Sequence, residues 1–340
     1  MSREAGASTM AARQPDATEE LLRLMRRQIA ATGLDLRGMT VLTEAATGAY
    51  AATPVIAALA GAVRVRAFTR SSRHGSVAEV RAGTLALAEA AGVSGRISVI
   101  EELSPQILGM TDIVTNSGHL RPLDAALIEH LPQRAVIGLM FEGWEFRTDD
   151  IDRAACLRRG IPIVGVNERH PAVGVFAFLG PLCVRLLHDA GLSAAGRRIA
   201  VLCDNPFAPF LADGLTAAGA SAEIFDSADA VPSGPWDVVV VSLRPEDDRL
   251  RLADREIEHL AHVAPGALLA QFWGDIDRDA ARRHGFSICP PNAPHPGHMA
   301  ILLGALGPEP IIRLQTGGLR AAEIIHRGLP IGPGGIAEPL

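Results

Sequence analysis

The chain of 340 residues contains no lysine, so all 32 of its basic residues are arginines. Arginine stays protonated and offers no free amine, which excludes Schiff-base chemistry of the PLP and class I aldolase kind. It also excludes a standard P-loop, which needs Gly-Lys-Ser/Thr. The single tyrosine, Tyr50, has no lysine partner, so the Tyr-xxx-Lys pair of the short-chain reductases is missing too. Cysteine is scarce: Cys156, Cys183, Cys203 and Cys289 are widely spaced and form no CxxC pair. They read as buried thiols in a reducing compartment, not as a disulfide frame or a zinc site. No apolar run reaches the roughly 18 residues that span a bilayer. Residues 1–15 carry no apolar signal region. The expectation is a cytoplasmic protein that does not touch a membrane. The net charge of −6 argues against a nucleic-acid partner, because such binding needs a basic face.

What is present is ordinary for a folded chain: 48% hydrophobic and 21% charged residues. At roughly 150 residues per domain the length predicts two domains. After a tail over 1–15 and a capping box at Asp16–Glu19, a helix runs to Gly33. Short apolar strands then alternate with helices. Strands are predicted at 39–44, 63–69, 97–101, 112–116, 135–140 and 161–166. Helices fall at 49–60, 77–91, 123–131 and 149–159, the last capped by Thr148. A long helix over 173–189 leads to a second series, with strands at 198–203, 222–226, 238–243, 267–272 and 286–289. Its helices fall at 210–218, 247–263, 299–306 and 311–327, before a Gly/Pro-rich tail over 328–340. This alternation predicts an α/β protein of two doubly wound parallel-sheet domains with a cleft between them. The first, over 16–172, is Rossmann-like or flavodoxin-like; the second, over 173–310, is Rossmann-like.

Ligands of such sheets bind at the carboxyl ends of the strands. In the second unit that loop is Cys203-Asp204-Asn205-Pro206-Phe207-Ala208. A dinucleotide fingerprint would have glycine at 203, 205 and 208. Asn205 tolerates the left-handed backbone a glycine would supply, whereas Pro206 removes an N–H. Asp226 lies about 20 residues on, where an acid grips a ribose hydroxyl. The alternative is a surface turn with a solvated aspartate. In the first unit, Thr47 and Gly48 follow the first strand, and Arg70, Ser71 and Arg73 follow the second. Two arginines with hydroxyls between them suit the 2′-phosphate of NADP, or form a solvated basic turn.

From Asp112 to Glu168 the sequence DIVTNSGHLRPLDAALIEHLPQRAVIGLMFEGWEFRTDDIDRAACLRRGIPIVGVNE resembles the D-2-hydroxyacid dehydrogenases. GALLAQFWGDID (266–277) is similar to that family's strand ending in Arg-Gly, and NAPHPGH (292–298) to its late Pro-His. The resemblance implies an NAD- or NADP-dependent oxidoreductase acting on a small polar metabolite between the domains. It also implies a homodimer and a last helix, 311–327, packing back on the first domain. It implies a cofactor face built from Asp204, Asn205, Phe207, Asp226, Ser242, Gln271 and Trp273. The family's catalytic arginine falls on Trp273, and its histidine matches His295 only across a shortened segment. His295 is therefore the candidate acid–base group, and Arg121 the cation for a substrate carboxylate. The loop Phe141–Glu145 is unusual: Glu142 and Glu145 flank Trp144, either around a ligand or as solvated acids beside an interface indole. The segment 167–170 reaches the same cleft. His295 and His298 are spaced like a metal pair but lack a third ligand, so no metal is expected. Two further functions stay open. One is a catalytically silent binding or partner subunit on this scaffold. The other is a non-redox enzyme using Glu142, Glu145 and His119 as acid–base groups.

Overall fold

The computed structural model describes residues 17–72, 75–246 and 249–340. The expected tail over 1–15, the Asp16 cap and Arg73 lie outside the described residues. The first domain contains β1 (Thr40–Glu44), β2 (Arg64–Phe68), β3 (Ile97–Ile100), β4 (Ile113–Asn116), β5 (Val136–Leu139) and β6 (Ile163–Val166). Its helices are α1 (Ala17–Thr32), α2 (Ala52–Leu59), α3 (Val77–Ala90), α4 (Pro105–Leu108), α5 (Ala125–Glu129) and α6 (Arg153–Arg159). The second domain runs α7 (Leu179–Asp189), β7 (Arg198–Leu202), α8 (Ala208–Ala217), β8 (Ser221–Phe225), β9 (Val238–Ser242), α9 (Asp254–Val263), β10 (Leu268–Trp273), α10 (Arg278–Arg283) and β11 (Ser287–Cys289). The chain then returns to the first domain as α11 (Glu309–His326) and β12 (Ala337–Pro339).

The strands β4, β5, β6 and β9 are buried along their whole length. That is why they read as unbroken apolar runs: a parallel sheet covered by helices hides both faces. The first sheet has the order β12-β6-β5-β4-β1-β2-β3, with β12 antiparallel at its edge; the second has β11-β10-β9-β7-β8. Strand order reverses between β1 and β4 in the first sheet and between β7 and β9 in the second. Leu42 pairs with Val114. Two residues further on, Glu44 and Asn116 follow on the same face of the sheet. In the first domain one apolar cluster joins the sheet to α1, α2, α3 and α11, and another covers the opposite face. The second sheet is likewise packed on both faces.

Several expected elements differ. Residues 299–306 are not an α-helix. Ala300 donates its N–H to Phe272 O on β10, and only a 3₁₀ turn forms at Leu303–Leu306, ended by Gly307 at φ +92°. The helix expected over 247–263 begins at Asp254; Asp247 and Asp248 lie outside the described residues, and Arg251 and Leu252 pair with Asp204 and Ile276. The helix expected from 149 starts at Arg153, capped by Asp152 and not Thr148. Ile151 is held extended beside Leu123, so the chain cannot coil there. The helix over 173–189 is α-helical only from Leu179, after a turn at Gly174 (φ +61°) and a 3₁₀ segment. The tail over 328–340 is partly ordered as β12, because the apolar Ile336 and Ala337 are buried at the sheet edge.

Helices α7 and α8 approach unusually closely. A Cβ on Gly214 would run into the backbone of Gly180. Gly214→Val should therefore cost about 1–3 kcal/mol by overpacking. The expected reading is a lower urea midpoint at unchanged m-value.

Candidate active site between the two sheets

The loops after β5 and β6 form the first domain's wall of the cleft. Glu142 is fully buried. Its Oε2 accepts the Trp144 indole N–H at 2.6 Å, and its Oε1 accepts from the Glu168 amide at 2.9 Å and Arg169 Nε at 3.0 Å. Arg169 also pairs with Glu338 from β12 at 3.6 Å. Oriented in this way, the Trp144 ring meets Phe207 edge-on at 5.5 Å and Trp273 at 5.7 Å. Phe207 stacks on Trp273 at 5.1 Å. Trp144 is thus the interface indole; of the acids beside it Glu142 is fully buried and Glu145 half-buried. Burial pushes the Glu145 carboxyl up to about 8, against the Glu142 amide that it accepts. Burial, with Glu145 and Glu142 close by, holds Glu168 well above the usual carboxyl range. At neutral pH Glu145 therefore holds its proton, and a protonated carboxyl is a proton donor.

A chain of contacts crosses the cleft beside them. Arg121 lies 3.7 Å from Asp150, and Arg147 lies 3.8 Å from the same carboxylate. Arg147 Nη1 reaches His298 at 3.1 Å, and the His298 ring meets His295 at 4.9 Å. The structure therefore links Arg121 to His295 through Asp150, Arg147 and His298. His295 itself is exposed. Burial lowers the pKa of His298. His119 sits apart from this row, where its amide donates to Glu44 Oε2 at 3.2 Å. Arg147 and Asp150 are not among the candidates read from sequence, whereas Glu168 lies in the segment 167–170 expected at the cleft, two residues past the buried strand β6.

The expected cofactor residues are engaged elsewhere. Asp204 accepts the Arg244 amide at 2.8 Å and pairs with Arg251 at 2.8 Å. Asn205 donates to Ser242 O at 2.6 Å and accepts the Phe207 amide at 3.0 Å. Gln271 bonds Gly274 O at 3.0 Å and Arg278 at 2.7 Å. Trp273 donates to Gly297 O at 3.2 Å. Asp226 is exposed at the end of β8, with Ser227 on its carboxylate at 3.1 Å. In the first domain, Thr47 and Gly48 line a groove of about 570 Å³ between α1 and α3. Arg70 and Ser71 are exposed, and Arg70 reaches Arg121 O at 3.4 Å. No cluster of metal ligands occurs among the described residues.

The second domain's first turn does not suit a dinucleotide pyrophosphate. Pro206 and Pro209 have no N–H. The Phe207 amide is taken by Asn205, and that of Ala208 by Asn205 O at 3.2 Å. A pyrophosphate needs free N–H groups at this helix start.

No protein-family model and no curated protein matches the sequence. Solved structures do match it in shape. The A polypeptide of dipicolinate synthase from Bacillus halodurans is 11% identical, with a TM-score of 0.55 over 88% of this chain and 100% of that one. Its counterpart from Bacillus subtilis is 12% identical, with a TM-score of 0.55 over 87% and 99%. A pyruvate reductase of Chlamydomonas reinhardtii is 14% identical, with a TM-score of 0.51 over 89% and 99%. The fold is that of the D-2-hydroxyacid dehydrogenases. At this identity the likeness is one of fold.

Glu142 is the hub of the cleft residues. Glu142→Ala should destabilise the protein by about 3 kcal/mol, because it strips a buried carboxylate from three donors. It should also release Trp144, read as a red shift of tryptophan emission in the folded protein.

Proposed function

We propose that the inter-domain cleft is an acid–base site for a small polar metabolite bearing a carboxylate. The observation that supports this reading is the pairing of Glu145 and Glu168, both raised by burial above the usual carboxyl range, with the row Arg121–Asp150–Arg147–His298. The arginines supply forked donors for a carboxylate. Glu145, uncharged at neutral pH through burial, gives a proton to an adjacent oxygen or nitrogen, and the imidazoles at the rim exchange protons with solvent. Glu142 and Asp150 act by position: one fixes Trp144 and the Glu168 backbone, the other holds both arginines.

The test is ligand-observed NMR with a panel of 2-keto, 2-hydroxy and amino acids. Arg147→Gln should weaken the binders by roughly tenfold or more, the loss of a charge-assisted hydrogen bond. A panel without any binder would refute the reading.

The Glu145 carboxyl predicts how stability changes with pH. Its folded pKa of about 8 lies above the 4.5 of an unburied glutamate, so between these values the folded state holds a proton that the unfolded chain has lost. Its contribution is fully present below the lower value and declines as pH rises toward 8. Glu145→Gln should flatten the fall of Tm between pH 5 and 8 and make the variant the more stable protein at pH 8.

A second reading is hydride transfer with NAD or NADP. The dehydrogenase fold and the place of Asp226 at the end of β8 favour it, while the proline-blocked turn opposes it. Titrating NADH and NADPH against tryptophan emission separates the two readings. Saturable binding that Asp226→Ala removes would establish the hydride reading. We expect none on the second domain.

A further inference from the structure

The first sheet's switch point carries a polar pair that the cleft chemistry does not use. Asn116 ends β4 with its side chain fully buried, and neither Oδ1 nor Nδ2 has a hydrogen-bond partner among the described residues. Such a group costs stability, and an apolar residue of the same shape would avoid that cost. On the opposite face the polar groups are satisfied: Thr115 bonds Thr43 at 2.8 Å and Ser117 at 2.9 Å. Beside Asn116, at the end of β1, Glu44 is buried to 6% exposure and takes the His119 amide. The chain makes room for this carboxyl with Gly118 (φ +41°), where any Cβ would run into Glu44. Tyr50 and Arg121 stand close enough to bear on its charge. Arg121 covers the strand end, donating to the Asn116 carbonyl from Nε at 3.2 Å and Nη2 at 3.0 Å.

We infer that Asn116 and Glu44 form a binding site, on the first domain, for a planar amide-type edge. A carboxamide presents one acceptor beside one donor. A partner that satisfies both must offer the reverse pair, as a primary carboxamide does and as the amidine edge of adenine does. An ammonium group offers donors only and a carboxylate acceptors only, so each leaves half of Asn116 unpaired. Glu44 extends the same surface: burial raises its carboxyl above the usual range, against the His119 amide and Arg121, and its oxygens add acceptors beside the carboxamide. The ligand reaches the site when Arg121 swings off the Asn116 carbonyl. The site shares Arg121 with the carboxylate-binding row but none of the acid–base carboxyls, which lie on the loops after β5 and β6.

The experiment uses the full chain and two matched pairs of probes in calorimetry: adenosine against purine riboside, and nicotinamide against nicotinate. One amide-type member should bind about tenfold or more tightly than its partner. Adenosine would mark a nucleotide base as the ligand, and nicotinamide a carboxamide metabolite. Asn116→Leu should abolish the preference while Tm stays level or rises. Asn116→Asp, isosteric but without an N–H, should lose it as well. Equal or absent binding within both pairs overturns the inference. So does a preference that survives both substitutions, or a fall in the Tm of Asn116→Leu, which would mean that Asn116 is already bonded in the free protein.

Discussion

The carboxylate of Glu142 is the constraint from which the cleft takes its form. It is fully buried and meets an indole N–H, a backbone amide and a guanidinium, so each oxygen is satisfied in a region where water cannot substitute. These bonds tie the loop after β5 to the loop after β6. They also fix the Trp144 ring, which bears on Phe207 and Trp273 of the second domain. Beside the indole, Glu145 is half-buried and Glu168 buried, and burial raises both carboxyls above the usual range. One buried anion thus sets the domain contact and the proton inventory of the site together.

The two domains have used their strand ends differently. In the second, Asp204, Asn205 and Gln271 bond to their own chain, two prolines remove amides, and aromatic rings fill the space beyond. In the first, the Asn116 carboxamide has no partner among the described residues, and a glycine is kept where only a glycine fits. Polar groups engaged internally stabilise a turn, whereas one left unengaged lowers stability unless something outside the chain completes it. The same layout of sheets therefore serves different chemistry according to which polar atoms remain free, and the dehydrogenase fold alone does not assign a reaction.

Arginine is the sole basic side chain, and this shapes the cleft as well as limiting it. Arg121, Arg147 and Arg169 each divide their donors among several acceptors, including Asp150, Glu142, Glu338 and the Asn116 carbonyl. A planar fork does this with little loss of freedom per bond. Proton exchange then falls to carboxyls and imidazoles, since no amine is available to take it up.

The layered α/β architecture is legible along the chain. A strand such as Val238–Ser242 is buried on both faces and has no polar alternation, and the turns between elements are marked by glycine and proline. Glu142, Glu145 and the segment after β6 are legible too, because position at a strand's carboxyl end is a one-dimensional fact. What these residues become is settled only in three dimensions. Residues 299–306 have helical spacing, yet Phe272 O captures the Ala300 amide and the segment runs irregularly. The tail over 328–340 reads only as rich in glycine and proline, but β6 offers an open edge, where β12 pairs and Ile336 and Ala337 are buried. Glu142 and Glu145 read from the sequence either as acids around a ligand or as solvated acids; in the fold Glu142 is a buried hub that accepts the Trp144 indole N–H, and Glu145 is half-buried. Asn116 gives no signal at all, since an unpaired carboxamide is defined by what surrounds it in space. Periodicity and turn chemistry are local and can be read along the chain; burial, pairing and protonation arise from residues far apart in sequence, and only folding brings those together.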